Sequence, residues 1–456
     1  MYMNNYEERK DRPIFKTTLL TGDALYEMVY SPVQKKSSYI KTDRLGHTEN
    51  LEEVELDGYK YRPLPPTYTL VDKKIIHFPS MAASYESEEE ILNEIRIFIH
   101  KYLDISEIFE QIASYYVLFT WLFDRFNEVP YLRAIGDFGS GKSRFIQAIG
   151  MLCYKPIMTS GATGSAPIFR ILSQIQGTLV MDEADFKFSD MTSEMIKILN
   201  SGYQKGTAVM RCNPKTFDPE AFDVYGPKII ATRETFSDKA LESRFLVEEM
   251  GAGKLRTDIP RTLDETFYSE AEAIRNKLLM WRLKNYFAPI ERRTEIIEGI
   301  HPRLNQIVIP LMSIIKNDTI REHLKTFIIK YNSELIADRG LTWESDIVFA
   351  ILKIEHETGA SEVTVKKITE EVNKESDITD DTLQARKVGW YLRSKLQLKS
   401  YRGRHGFTLS FKVNRKRLDM WKERFGITDA DIRGEQVNVV NDVNVQEEIK
   451  PEEIAF

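Results

Sequence analysis

Two periodicities divide the first part of the chain. Up to about residue 80, apolar residues come in short runs (15–20, 24–30, 68–71 and 75–78) separated by turn signals such as Thr21-Gly22-Asp23, Asp57-Gly58 and the Pro63-Leu64-Pro65-Pro66 cluster. Short runs between such signals predict β-strands. From Glu88 the spacing becomes helical: Ile91, Ile95, Phe98, Ile99 and Tyr102, then Ile108, Ile112, Tyr115, Tyr116, Phe119, Phe123 and Phe126. Residues three and four apart predict two amphipathic helices, the second running on towards Pro130. Its aromatic stripe suits packing against a sheet.

Beyond it, apolar strands alternate with helical stretches. Tyr131 to Ile135 reads as a buried strand, and Arg144 to Ile149 as the start of a helix. Residues 156–161 read as a strand and turn, 166–175 as a helix, and 178–183 as an apolar strand closing on Asp182-Glu183. After a helix over 192–200, the runs 206–212 and 221–225 flank Asn213-Pro214-Lys215-Thr216 and predict a β-hairpin. Residues 227–233 form another buried strand, and a further one starts at Phe245. Strands alternating with helices predict an α/β fold, a parallel sheet with flanking helices.

The chemistry sits where the first of these strands ends. Gly136, Gly141, Lys142 and Ser143 fit the phosphate-loop spacing G-x4-G-K-[ST] between a strand and a helix. A glycine-rich backbone can wrap a phosphate closely, and the N–H groups of the helix start aim positive partial charge at it. The candidate nucleotide-binding residues are therefore Gly136, Asp137, Phe138, Gly139, Ser140, Gly141, Lys142, Ser143 and Arg144. Lys142 would reach the β- and γ-phosphates, and the Ser143 hydroxyl would hold Mg²⁺. Further along, Asp182 is placed to hold Mg²⁺ through water and Glu183 to polarise the attacking water. Thr232, at the polar tip of the 227–233 strand, would sense the γ-phosphate or orient that water. The expected cofactors are ATP and Mg²⁺.

The order of phosphate loop, Asp-Glu strand, hairpin, polar-tipped strand and Ala240-Leu241-Glu242-Ser243-Arg244-Phe245 resembles AAA+ ATPases. Among them it resembles MCM-like replicative helicases and helicases of mobile genetic elements, over roughly residues 88–311. The resemblance implies an AAA+ P-loop core whose hairpin projects into a central pore, with Lys215 at the DNA-gripping tip and Arg211 in support. It makes Arg244 an arginine finger on the neighbouring subunit's γ-phosphate; a surface ion pair with Glu242 or Glu248 is the alternative. The helix opened by His301-Pro302-Arg303 resembles the second-sensor helix, with Arg303 as its candidate and helix capping as the alternative. Thr232 departs from the Asn most often found in the sensor strand, and Arg233 beside it is unexplained. A homo-oligomeric ring, expected as a hexamer, follows from a finger supplied in trans.

The C-terminal third has its own pattern. A helix over 343–357 ends at Gly359, a second spans 365–372, and a third, capped by Asp380, carries Leu383, Val388, Tyr391, Leu392 and Leu396. Runs at 399–402 and 407–413 around Gly403-Arg404-His405-Gly406 predict a hairpin, and 414–425 a closing helix. Helices followed by a hairpin are the winged-helix order. From Asp380 to Phe425, thirteen Lys and Arg stand against four Asp and Glu, the clustering of a phosphate-backbone footprint. Arg386, Lys387, Arg393 and Lys395 would lie on the recognition helix, and Arg402, Arg404 and His405 on the wing. A solvated basic surface or a protein-docking wing are the alternatives.

Composition adds limits. With 456 residues the chain is long enough for several domains; the expected division is 1–87 (a small N-terminal β-rich module), 88–335 (ATPase with helical lid), 336–427 (winged helix) and 428–456 (a disordered acidic tail). A net charge of −6 rules out a polycation that coats nucleic acid, so the basic C-terminal patch is local. Cys153 and Cys212 lack metal-ligand spacing and fit a reduced cytosolic protein. Residues 1–5 lack the apolar core of a signal peptide, and the apolar stretch 113–123 is too short to span a bilayer. A cytoplasmic protein with no membrane partner is expected. The leading function is an ATP-dependent DNA helicase or replication initiator, with single-stranded DNA in the pore and duplex or fork DNA at the winged helix. The alternative is a helicase loader or nucleotide-switched DNA-binding regulator that unwinds nothing. A kinase-type phosphotransferase finds no acceptor-binding motif.

Overall fold

The computed structural model describes residues 12–184, 190–236, 238–251, 256–290, 296–340, 343–375, 383–403 and 406–433. Backbone contacts divide the chain into two units, Met1–Ile328 and Ile329–Phe456.

Seven short strands open the first unit: β1 (Ile14–Phe15), β2 (Thr18–Leu20), β3 (Ala24–Ser31), β4 (Lys36–Asp43), β5 (Thr48–Leu51), β6 (Val54–Leu56) and β7 (Tyr59–Arg62). They form one sheet in the order β2-β3-β4-β5 and a second in the order β1-β7-β6. The long β3–β4 pairing, from Ala24↔Asp43 to Ser31↔Lys36, buries Leu25, Met28 and Tyr39. The run 68–71 is not extended, contrary to its apolar pattern. It is the helix α1 (Thr69–Asp72), started by a turn in which the Pro65 carbonyl accepts from the Tyr68 N–H. The 75–78 run lies along the central sheet: the Met158 N–H donates to the Ile75 carbonyl at 2.8 Å, and the His77 N–H to Pro156. It thereby covers an edge that would otherwise stand open.

A buried ion network fastens the N-terminal strands to the α/β core of the first unit. Glu27, on β3, accepts from Arg282 Nε at 2.8 Å and from the Tyr154 hydroxyl, with Lys155 Nζ at 3.4 Å. Arg282 also forks onto both Asp124 oxygens at 2.9 and 2.7 Å. Burial pushes the Lys155 ammonium down to about 8, with the neighbouring Glu27 pulling the other way. These charges are satisfied by one another and by neighbouring hydroxyl and carbonyl groups such as those of Tyr154, Thr17 and Trp121, which is the condition for burying them at all.

Helices α2 (Glu88–Tyr102) and α3 (Glu107–Thr120) carry the expected buried stripes. α3 does not run on to Phe126. The Thr120 hydroxyl turns back to the Val117 carbonyl at 2.6 Å, and a 3₁₀ turn at Phe123–Arg125 takes over. Phe123 and Phe126 remain buried by tilted ring contacts with Tyr154, Tyr225 and Phe119 rather than by helical periodicity. The chain then alternates: β8 (Tyr131–Ile135), α4 (Lys142–Gly150), β9 (Ile157–Ser160), α5 (Ser165–Ile175), β10 (Leu179–Asp182) and α6 (Asp190–Ser201). The antiparallel hairpin β11 (Ala208–Cys212) and β12 (Pro219–Asp223) precedes β13 (Lys228–Thr232), α7 (Lys239–Glu242) and β14 (Phe245–Glu249). Five strands form an all-parallel sheet in the order β14-β8-β13-β10-β9. All five residues of β13 are buried, as expected of a strand covered on both faces. α8 (Glu265–Asn285), α9 (Pro302–Met312) and α10 (Asp318–Gly340) follow, and α10 continues into the second unit.

The second unit contains α11 (Trp343–Thr358), β15 (Glu362–Thr364), α12 (Val365–Glu375), α13 (Ala385–Trp390), β16 (Ser400–Gly403), β17 (Gly406–Ser410), α14 (Phe411–Arg424) and α15 (Asp429–Arg433). β17 is the centre of a three-stranded antiparallel sheet, between β15 and β16. Three local expectations change. Gln384, not Asp380, precedes the third helix; Asp380 lies outside the described residues. The last strand stops at Ser410, because Asn414 donates to the Ser410 carbonyl and clamps Lys399, which draws residues 411–413 into α14. Residues 429–433 form a helical turn that buries Ile432 and are not part of an irregular tail. Among the described residues no helix is long and apolar enough to cross a membrane.

Candidate functional site

β8 delivers the chain to the glycine-rich loop Gly136–Ser143 at the C-terminal edge of the sheet. Gly136 has no room for a side chain: a Cβ there would sit 2.5 Å from the Met250 carbonyl oxygen. Its own N–H donates to Thr232 O at 3.3 Å, and Met250 N donates to Ile135 O at 2.7 Å, so the loop root is fixed to both flanking strands. Gly141, with φ of +97°, is the N-cap of α4 and turns the chain so that the helix starts at Lys142. Lys142 Nζ lies in the hollow of the loop, 2.6 Å from the carbonyls of Gly136 and Asp137. Asp137, Phe138, Gly139 and Ser143 are exposed, and Ser140 Oγ is buried without a partner among the described residues. Arg144 turns away from the loop, donating to the carbonyls of Pro260 and Arg261 at 2.8 and 2.9 Å.

Two strands over, β10 ends in Asp182, whose carboxylate accepts from the Glu183 N–H at 2.9 Å. Glu183 has φ of +51°, an uncommon conformation for a residue with a Cβ, of the kind stored at functional sites. Gly161 makes this turn possible, since a Cβ there would lie 2.1 Å from the Glu183 carbonyl oxygen. Between the two lies Thr232, at the end of β13 and paired with Ile135 of β8. It is 1% exposed, and its hydroxyl has no partner among the described residues. The loop, Thr232 and the Asp182–Glu183 turn thus share one edge of three adjacent strands.

Among the described residues no three His, Cys, Asp or Glu side chains cluster as a metal site. Mg²⁺ in a nucleotide site does not need such a cluster, because one or two protein oxygens suffice beside phosphates and water. Ser143 and Asp182 are of the right chemistry to hold it.

Arg244 and Arg303 lie at the other end of the sheet. Phe245 pairs with Tyr131 and Glu249 with Ile135, so Arg244 enters β14 a whole strand length, about 13 Å, from the loop. It is 6% exposed; it donates to Asn200 Oδ1 and the Ala240 carbonyl and lies 4.3 Å over the Tyr203 ring. Neither Glu242 nor Glu248 is its partner. Glu242 forks onto the buried Arg133 at 2.7 and 2.6 Å, and Glu248 accepts from Ser106. Arg303 reaches the same Ala240 carbonyl at 3.3 Å, which brings the two arginines together. His301 performs the helix capping, its Nδ1 accepting from the Arg303 N–H.

In the hairpin, Arg211 is half-occupied: it pairs with Glu194 at 3.1 Å and covers the Phe169 ring. Lys215 is exposed at the tip, where its N–H donates to Asn213 Oδ1 at 2.9 Å. Next to it stands a residue the sequence pattern did not single out. Phe217 is 80% exposed and has φ of +61°, held by its N–H to the Asn213 carbonyl at 2.8 Å. A ring pushed into solvent in a strained backbone is the signal, and only the folded chain displays it.

At the hairpin's base, Lys228 Nζ is buried among the carbonyls of Gly202, Val224 and Gly226 at 3.2, 3.0 and 2.9 Å. It joins the end of α6, the hairpin and the start of β13, and burial pushes its ammonium down to about 7. In the second unit Arg386, Lys387, Arg393, Lys395 and Arg402 are all exposed, while Arg404 and His405 lie outside the described residues.

No protein-family model matches the sequence, and no curated protein does. Among solved structures the chain is similar to the apo C-terminal region of NrS-1, at 11% identity and a TM-score of 0.34, over 84% of this chain and 96% of that one. It is also similar to the JCV helicase, at 14% identity and a TM-score of 0.25, over 52% of this chain and 63% of that one. An inhibitor-bound form of the JCV helicase gives 15% identity and a TM-score of 0.24, over 53% and 65% of the two chains. Likenesses this slight say nothing of substrate or mechanism.

Proposed function

We propose that this chain is an ATP-hydrolysing motor of the ring-helicase kind, acting on DNA. The observation that carries it is the meeting of the Gly136–Ser143 loop, the unpartnered Thr232 hydroxyl and the strained Asp182–Glu183 turn on one sheet edge. In this reading the loop N–H groups and Lys142 bind the triphosphate, and Thr232 and Glu183 orient and polarise the attacking water. Mg²⁺, held by Ser143 and Asp182, would supply charge neutralisation at the phosphates. Arg244 and Arg303, too far from this chain's own loop, would complete the site of an adjacent copy in a hexamer. Arg244 must then exchange its contacts with Asn200 and Ala240 for the phosphate, so assembly and hydrolysis are linked. Lys215 at the hairpin tip would hold single-stranded DNA by its phosphates, without sequence preference. The C-terminal unit, with its helices and three-stranded sheet, would serve as a winged helix on duplex or fork DNA.

The test is forked-duplex unwinding beside ATP turnover. Lys142→Ala and Glu183→Gln are expected to abolish both. Lys215→Ala is expected to spare basal turnover and lose unwinding. Turnover with no unwinding in the unmodified protein would instead favour a loader or nucleotide-switched regulator.

A further inference from the structure

The C-terminal unit carries more than charge. From Leu383 to Leu418 there are eleven Lys and Arg and no Asp or Glu. Within this run three large rings are about half exposed, Trp390 at 47%, Tyr401 at 44% and Phe407 at 50%. Two of them are attended by a cation: Arg393 Cζ lies 5.6 Å from the Phe407 centroid, and Lys395 Nζ 5.8 Å from that of Trp390. The backbone between them is unusual. Tyr391–Lys395 is a π-helical turn, closed by the Leu396 N–H donating to the Tyr391 carbonyl at 2.9 Å. Such widened turns are rare and frequent at functional sites. On the strand side, Phe407 shares its face with its cross-strand partner Arg402.

We propose that this surface is a stacking platform for unpaired nucleotides. Trp390 and Phe407 each take the face of a base, while Arg386, Arg393, Lys395 and Arg402 hold the phosphates between. In a duplex, base faces are covered by their neighbours, so exposed rings gain nothing there. In a single strand the faces are open, and aromatic stacking beside a basic groove is the usual means of holding them. The proposal rests on reading this unit as a nucleic-acid contact and narrows its partner from duplex to unpaired strand.

Tryptophan fluorescence of the full-length protein tests it. Subtracting the Trp390→Phe signal isolates the emission of Trp390, since the other tryptophans cancel. A thymine homopolymer is expected to quench that emission, whereas an abasic strand of equal charge leaves it unchanged. Trp390→Ala with Phe407→Ala is expected to weaken single-strand binding about 10-fold or more, with blunt-duplex binding little changed. Trp390→Phe with Phe407→Tyr should restore it, which separates stacking from damage to the fold. Unchanged Trp390 emission at saturation, or equal losses on duplex and single strand, overturns the proposal. The Lys215→Ala protein keeps the quench, because the hairpin is not its source. Unwinding that survives Lys215→Ala would therefore sink the pore reading and leave this one standing.

Discussion

Thr232→Val separates stability from turnover with opposite signs. The substitution keeps the branched shape that suits a buried strand and replaces a hydroxyl with a methyl. That hydroxyl is buried, on a residue 1% exposed, with no partner among the described residues. An unsatisfied buried polar group costs on the order of 1–3 kcal/mol, so its removal is expected to stabilise the fold by about 1–2 kcal/mol. For a unit of this size that raises Tm by roughly 2–4 °C. If the same hydroxyl orients the lytic water or touches the γ-phosphate, losing it lowers kcat roughly 100-fold, the usual scale for one preorganised polar contact. Thermal melting without nucleotide and steady-state ATP turnover are the two readouts. Thr232→Ser supplies the mirror image: lower Tm from the lost methyl, with kcat largely retained. A lower Tm for Thr232→Val, or turnover within a few-fold of the parent, would refute the sensor role.

Three further outcomes are expected. Glu27→Gln leaves Lys155 buried without a carboxylate and Arg282 with Asp124 alone, so urea denaturation should register a loss of about 3–5 kcal/mol; a loss below about 1 kcal/mol would show that the network does not fasten the N-terminal strands. Lys228, held near 7 when folded against 10.5 when unfolded, binds fewer protons in the folded state between those values. Stability should therefore rise with pH across that window by up to about 1.4 kcal/mol per unit. Lys228→Met should flatten the slope between pH 7 and 8, before Lys155 begins to contribute, and an unaltered slope would contradict the assignment. Phe217→Gly relieves a left-handed backbone and is expected to add about 1 kcal/mol of stability. It should also weaken single-strand binding several-fold, whereas unchanged binding would leave the exposed ring without a role.

Local order alone determined much of this protein. The Gly136–Ser143 loop, the Asp182–Glu183 strand end, the hairpin and the helices α2 to α6 follow from spacings within about a dozen residues, where periodicity and turn chemistry act directly; the two longest helices, α8 and α10, were not read from the pattern. What failed locally failed where packing overrode period: the α3 stripe stops at Thr120 although Phe123 and Phe126 stay buried, and residues 411–413 join a helix once Asn414 clamps Lys399 and Ser410. Tertiary structure decided the rest, because a charged residue looks the same in sequence whether it faces water or a partner hundreds of positions away. Only the fold could set Glu27 against Arg282, assign Glu242 to Arg133, and bring Arg244 and Arg303 to one carbonyl at the far end of the sheet. The strand order that unites Lys142, Thr232 and Asp182 on one edge is likewise a long-range property, fixed by which buried strands pair and not by any residue near the loop.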